Sequence, residues 1–232
     1  MKLAIMQPYF LPYIGYFQLI GAVDMFVVYD NIKYTKKGWI NRNRLLQNGT
    51  DAVFSLPLAK DADNLDVVQR ELAESFDRDK LLNQFRGAYE RAPHFSAVWP
   101  LLVRIVRCEE RNLFRYVHHS ITHMCELLQL KTDLRVSSSI SIDHDLKAQD
   151  KVIALCHAVG ADCYVNSIGG VEIYDREAFK TAGIKLQFLR PQSIGYSQFK
   201  TSFVPWLSTI DVMMFNPPER VSEVLGKCYD FV

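Results

Sequence analysis

The sequence predicts an α/β fold: a mostly parallel, Rossmann-like sheet flanked by helices, carrying a β-hairpin and a helical insertion. Three observations predict it. The runs "LAIM" and "DMFVVYD" (Asp24 to Asp30) are short and continuously apolar, with a helical pattern between them, which is the signature of a βαβ unit with parallel strands. The pair Asn48-Gly49, set between "WINRNRLL" and "DAVFSLPL", is a hairpin signal. A purely helical stretch from Asp77 to Leu130 is then followed by renewed alternation of strands and helices.

Each element has its own justification. Lys2 to Met6 is a short buried strand. Pro12 fits a first helical turn, where its missing N–H is harmless, and the helix it opens runs to Gly21, burying Ile14, Phe17, Leu19 and Ile20. Along the first hairpin strand, Trp39, Asn41, Asn43 and Leu45 share one face, and Ile40, Arg42, Arg44 and Leu46 the other. Three apolar stripes mark the helical stretch: Leu81, Leu82, Phe85, Ala88 and Tyr89; Leu101, Leu102, Ile105 and Val106; Leu113, Val117, Ile121, Met124 and Leu128. Beyond it, "LRVSSSI" is a strand, Ala148 to Val159 a helix and "ADCYVN" a strand. A short helix over Asp175 to Thr181, the strand "IKLQFL" and two helices, "VPWLSTIDVMMF" and "PERVSEVLGKC", close the chain. The expected organisation is one α/β domain over residues 1–232, with residues 64–130 inserted as helices.

Composition narrows the function. An apolar share of 49% and a charged share of 23% describe a soluble globular protein. A net charge of +1 gives no overall attraction to nucleic acid or anionic membrane, so any phosphate site must be local. The five cysteines are odd in number and form no C-x-x-C pair, which fits reduced thiols in the cytoplasm. Neither a signal peptide nor an apolar run of about 20 residues is present, so no membrane span is expected.

In open parallel sheets ligands bind at the carboxyl ends of the strands. The opening stretch "MQPYFLPYIGYFQLIG", with Gln7, lies at such an end, as do Asp30 and "NSIGG". Nucleotidylyltransferases carry His-x-Gly-His at the first strand-to-helix turn. Here that place reads Tyr13-Ile14-Gly15-Tyr16, which keeps the glycine and exchanges both histidines for tyrosines that can donate to phosphate but carry no charge. On this motif alone, core aromatics with satisfied hydroxyls are the better explanation of Tyr13 and Tyr16. "KYTKKGWINRNR" concentrates Lys33, Lys36, Lys37, Arg42 and Arg44 without an acid: Arg42 suits a phosphate or carboxylate, Trp39 can stack on a ring, and Asn43 alternates with the two arginines. Backbone N–H groups at Gly169-Gly170 could cradle an anion, or mark a tight turn. Asp211, one turn after Ser208 in an apolar helix, needs a partner if buried, and Arg42 is a candidate. Gln198 and Lys200 on the loop before it could reach a substrate. His119 and His123 have metal-ligand spacing but no third ligand nearby, so no metal site is expected.

Together, "MQPYFLPYIGYFQLI", "VDMFVVYDNIKYTKKGWINRNRLL", "SIGGVEIYD" and "FLRPQSIGYSQFKTSFVPWLSTIDVMMFN" resemble the WbqC-like family, in order along almost the whole chain. The resemblance implies a role in bacterial surface-polysaccharide (O-antigen, lipopolysaccharide) biosynthesis: transfer of an aminoacyl group, glycine in particular, onto the amine of a nucleotide-linked amino sugar. Under that reading Tyr16, Asp30 and Arg42 are the catalytic candidates. Gln7, Tyr13, Gly15, Trp39, Asn43, Gly169, Gly170, Gln198, Ser208 and Asp211 are the substrate-binding ones. ATP is the cofactor candidate where the acyl group must be activated. The partners are a nucleotide sugar and an acyl or aminoacyl donor, with no nucleic acid unless an aminoacyl-tRNA is the donor, and a homodimer is compatible. A non-catalytic sugar-nucleotide-binding protein and a nucleotidyltransferase-like enzyme are the alternatives. The spatial expectation is that the opening turn, the Trp39–Asn43 strand and the Ser208/Asp211 helix converge on one cleft.

Overall fold

The computed structural model describes residues 1–199 and 202–232, so Lys200 lies outside the described residues. The chain builds a mixed α/β structure. Its first strand β1 (Lys2–Met6) leads through the proline-rich turn into α1 (Ile14–Gly21) and back to β2 (Met25–Val28). A separate antiparallel hairpin follows, β3 (Arg42–Gln47) and β4 (Thr50–Ser55). Three helices come next: α2 (Arg78–Tyr89), α3 (Phe95–Val106) and α4 (Leu113–Leu127). The alternation then resumes with β5 (Asp133–Val136), α5 (Ala148–Val159), β6 (Cys163–Ser167), α6 (Arg176–Thr181) and β7 (Lys185–Pro191), and ends with α7 (Thr209–Phe215), α8 (Pro218–Lys227) and β8 (Tyr229–Phe231).

The sheet order is β5-β2-β1-β6-β7-β8, parallel except for β8. The chain adds strands on one side of β1 and then crosses to β6 on the other, so β1 and β6 flank the topological switch point. Both faces of the sheet are covered, which is why its strands read as apolar runs. Leu3, Ile5 and Val27 pack with Leu155, Phe179 and Phe188 on one face. Ala4, Phe26 and Val28 face a second core shared with α1, the hairpin and the helical stretch. Aromatic rings join the helical stretch to the hairpin, where Phe54 meets Phe85 at 4.9 Å between centroids, and to the opening turn, where Phe10 meets Tyr116 at 5.8 Å.

Local chemistry sets the boundaries. Asp77, Asn112 and Asp175 cap α2, α4 and α6 by accepting backbone N–H groups. Asn48 and Gly49 both take positive φ, 53° and 79°, as a primed hairpin turn requires. Three features depart from the sequence pattern. The hairpin strand starts at Arg42, leaving Trp39 and Asn41 in the loop before it. The helix expected from Val204 starts at Thr209, because Trp206 adopts φ 60° and Ser208 caps the helix with its hydroxyl. The last three strand residues, Tyr229–Phe231, pair antiparallel to β7 and are too short to carry a period.

Candidate functional site

The opening turn, the hairpin and α7 meet along a buried, hydrogen-bonded seam and not around the open cleft expected from sequence, because Asn43, Ser208 and Asp211 spend their polar groups on one another's segments. Phe10 N donates to Ile40 O at 3.0 Å, and Asn43 Nδ2 reaches Phe10 O at 3.4 Å. Ser208 N donates to Arg44 O at 2.9 Å, while the Ser208 and Thr209 hydroxyls donate to Leu11 O and Pro12 O at 2.7 and 2.8 Å. Asp211 is fully buried in this seam. Its carboxylate accepts from Tyr89 Oη at 3.0 Å, Tyr196 Oη at 2.7 Å and Gln198 Nε2 at 2.6 Å, and Arg42 is not among its partners. Burial pushes the Asp211 carboxyl above its ordinary value, and the three donors oppose that shift. Gly15 is required by packing, since an added Cβ would come within 2.7 Å of Pro191 Cγ and closer still to the Tyr13 ring. Tyr16 is buried, donates to Gln7 O at 3.0 Å, and is raised well above its ordinary value by burial.

On the outer side of the hairpin an aromatic and cationic patch faces water. Trp39 is 41% exposed, and the guanidiniums of Arg42 and Arg44 lie 5.7 and 5.5 Å from its ring centroid. Arg42 donates to Gly38 O and Lys37 O, which pins the loop carrying Trp39. Arg44 donates to Trp206 O at 3.1 Å, and the exposed Trp206 meets Tyr13 at 6.2 Å.

A second polar cluster lies at the carboxyl ends of β2 and β5. Asp30, 2% exposed, accepts from Ser137 Oγ at 2.8 Å and Ser138 N at 3.0 Å. Ser137 also touches Asn31 Oδ1 at 2.6 Å, and Asn31 Nδ2 lies 2.8 Å from Nδ1 of the half-buried His144. The buried Lys151 donates to His144 O at 3.0 Å and sits 5.2 Å from the Tyr29 ring, and among the described residues no carboxylate pairs with it. Burial lowers the Lys151 ammonium below its ordinary value and raises the Tyr29 phenol to about 12. His118 of α4, also lowered by burial, is within electrostatic reach of Asp30, and its Nε2 is buried with no partner. Across the switch point, Asn166 donates to Tyr164 Oη at 2.9 Å; a Cβ on Gly170 would press on Asn166 at 3.1 Å, whereas Gly169 faces open space.

Of the residues singled out from sequence, Asp30 belongs to this cluster, Trp39 and Arg42 to the outer patch, and Asn43, Ser208, Gln198 and Asp211 to the seam. Asn31, Ser137, His144, Lys151 and His118 were not singled out. Lys151 did leave a signal: it falls on the buried face of α5 with Val152, Leu155 and Cys156, an apolar position for a charged side chain. His119 and His123 stack edge to face at 4.3 Å, and His123 pairs with Glu126 at 2.7 Å. Among the described residues no group of three or more potential metal ligands occurs, and no helix is long and apolar enough to cross a membrane. The larger grooves lie elsewhere: one of about 590 Å³ between Val98, Leu128, Met213 and Leu225, one of about 480 Å³ at the amino ends of β1 and β6 beside Asp24 and Asp162, and one of about 460 Å³ beside Phe76, Arg78 and Arg107. None of the three lies at the carboxyl ends of the strands, where open parallel sheets bind ligands.

Comparison with known proteins agrees with the sequence blocks. The model of the WbqC-like protein family matches residues 7–223, and the chain belongs to that family. The "Uncharacterized protein Rv1507c" of Mycobacterium tuberculosis is 26% identical over 232 residues, covering 98% of each chain. No solved structure matches the chain.

Proposed function

We propose that the protein is a transferase of bacterial surface-polysaccharide biosynthesis that adds an aminoacyl group, glycine being the first candidate, to the amine of a nucleotide-linked amino sugar. The observation that carries this reading is the run of hydrogen-bonded polar groups from buried Asp30 to half-buried His144, beside Lys151, at the strand ends where α/β sheets bind ligands. Making an amide takes a proton from the amine, and side chains held for proton transfer there contribute about 100-fold or more to such a step. The patch of Trp39, Arg42 and Arg44 supplies the complementary function, a stacking surface backed by positive charge for the nucleotide and its diphosphate. The acyl carbon is activated either by ATP, as an acyl-adenylate, or beforehand, as an ester on tRNA or another carrier.

One observation favours a second reading. Trp39 and Trp206 are both exposed beside Arg44, a surface that serves equally a non-catalytic sugar-nucleotide-binding protein. A nucleotidyltransferase is the third. Calorimetric binding with ATP, glycine and nucleotide amino sugars, followed by mass spectrometry of the mixture, separates them. Acyl transfer adds one acyl mass to the sugar, and the binding protein binds without product. The nucleotidyltransferase releases pyrophosphate with a new nucleotide sugar.

A further inference from the structure

Among the described residues two basic side chains are buried, Arg70 at 5% exposure and Lys151 at 6%, and no carboxylate pairs with either. Lys151 engages its ammonium with backbone carbonyls. Arg70 engages much less of its guanidinium. Nη1 donates to Ala62 O at 3.0 Å, and no other acceptor meets the group among the described residues. Nε is buried without a partner, while Nη2, also without one, keeps contact with solvent. Nε–H and Nη2–H point along the same edge of the guanidinium, the edge that grips two oxygens of a phosphate or carboxylate at once. The bond from Nη1 to Ala62 therefore leaves the bidentate edge free. A buried charge held in this way destabilises the fold until a partner arrives.

The backbone around Arg70 is fixed from several directions. Val67 N and Val68 N donate to Ile32 O and Asp30 O at 2.9 and 3.2 Å, so the strap carrying Arg70 crosses the end of β2. Asp66 and Gln69 close a capping box around the short turn Val67–Gln69, and Arg70 O accepts from Leu113 N at 2.9 Å at the start of α4. A guanidinium on so rigid a strap is preorganised. It lies 4.9 Å from the centroid of the Tyr34 ring, and Tyr34 donates to Asn41 Oδ1 at 2.9 Å in the loop that carries Trp39. Burial raises the Tyr34 phenol, and the charges of Arg70, Arg42 and Lys36 oppose that shift, so the guanidiniums of Arg70 and Arg42 share the surroundings of one ring. Asp63, which also feels the Arg70 charge, is taken up by Lys36 at 2.6 Å.

We propose that Arg70 is the diphosphate anchor of the nucleotide site, its Nε–Nη2 edge gripping phosphoryl oxygens of a ligand whose base stacks on Trp39. This rests on the nucleotide-sugar reading of the outer patch and adds a residue from outside it. Through Tyr34 the anchor adjoins the stacking surface, and through Val68 and Asp30 O its strap adjoins the carboxyl-edge cluster. A nucleotide sugar with its base on Trp39 and its diphosphate on Arg70 extends its sugar toward the strand ends.

Calorimetry and thermal unfolding with UDP, ADP, uridine and inorganic pyrophosphate, on the wild type and Arg70→Met, test this without any acyl transfer, so the result is independent of the transferase reading. Methionine keeps an unbranched apolar stem beside Tyr34 and removes the charge. The wild type is expected to bind pyrophosphate, and one of the two nucleotides about tenfold or more tighter than uridine. Arg70→Met should lose about tenfold or more of both affinities, and its melting temperature without ligand should equal or exceed the wild-type value, because the unpaired charge is gone. Arg70→Lys, which keeps the charge without the fork, should recover affinity only in part, and it carries the test should Arg70→Met not fold. A structural arginine gives the opposite pattern, a lower melting temperature with nucleotide affinity unchanged. That pattern, or a wild type that binds neither nucleotide nor pyrophosphate, overturns the proposal. Trp39→Ala separates a nucleotide's phosphates from free phosphate: weaker nucleotide binding with pyrophosphate unchanged supports one ligand spanning ring and anchor, and nucleotide binding unmoved by Trp39→Ala overturns it.

Discussion

Two carboxylates, Asp30 and Asp211, are each all but withdrawn from water, and their surroundings differ in kind. Asp211 ends a closed knot: its three donors come from α2 and the loop before α7, and two of these, Tyr89 and Gln198, are themselves buried. Asp30 begins an open chain whose later members, Asn31 and His144, are half-buried and which runs beside Lys151, whose ammonium donates to backbone carbonyls. A buried charge by itself therefore does not mark an active site. What distinguishes the two is whether the hydrogen bonds terminate in the core or lead outward to groups that can exchange protons.

The largest expected effect breaks the closed knot. Asp211→Ala strands the Tyr89 and Tyr196 hydroxyls and removes one acceptor from Gln198, which keeps Val204 O, and at about 1–3 kcal/mol for each unsatisfied buried group it should cost about 2 kcal/mol or more, read by urea unfolding. Next comes Gly15→Ala, which drives a methyl into Pro191 and the Tyr13 ring at the other end of the seam. Overpacking of this kind costs about 1–3 kcal/mol, and a lower melting temperature with ligand affinity otherwise retained would confirm a packing role for Gly15. Asp211 also carries a pH signature. Its carboxyl is raised on folding, so the folded chain takes up a proton between the ordinary value of 3.8 and the raised one. Stability should fall as pH rises through that window and level off above it; Asp211→Asn should remove the dependence, as denaturation across acid pH would show.

Two smaller effects sharpen the contrast on the surface. Trp39→Ala and Arg42→Ala are expected to weaken nucleotide binding about tenfold or more in calorimetry while moving the melting temperature little, because both side chains contact solvent and the hairpin loop rather than the core. An unfolded Arg42→Ala would instead make its two carbonyl bonds a structural staple. His123→Ala, which loses one exposed pair with Glu126, should stay within about 0.5 kcal/mol and leave binding unchanged.

The sheet was legible because its strands are buried on both faces, so "LAIM" and "DMFVVYD" read as continuous apolar runs, and because Asn48-Gly49 forces a primed turn. The start of α7 was not, because the left-handed Trp206 is imposed by tertiary contacts such as Arg44 to Trp206 O. Within the candidate site, Asp30 was legible as the polar end of an apolar strand. Ser137 and His144 were not: they join Asp30 across about a hundred residues of chain, through hydrogen bonds that no local spacing encodes. Asp211 shows the complementary difficulty, since a carboxylate in an apolar helix reads the same whether its partners are a substrate or three core donors.

The most direct test is a paired measurement on Asp30→Asn and Asp211→Asn: the rate at which an acyl mass appears on a nucleotide amino sugar, per folded molecule, beside the melting temperature of each. The account predicts that Asp30→Asn keeps its fold and loses about 100-fold or more of the rate. Asp211→Asn should lose stability and keep the rate of whatever remains folded. Transfer at the wild-type rate by Asp30→Asn, or a rate that collapses in a fully folded Asp211→Asn, would contradict it and move the chemistry from the strand ends to the seam.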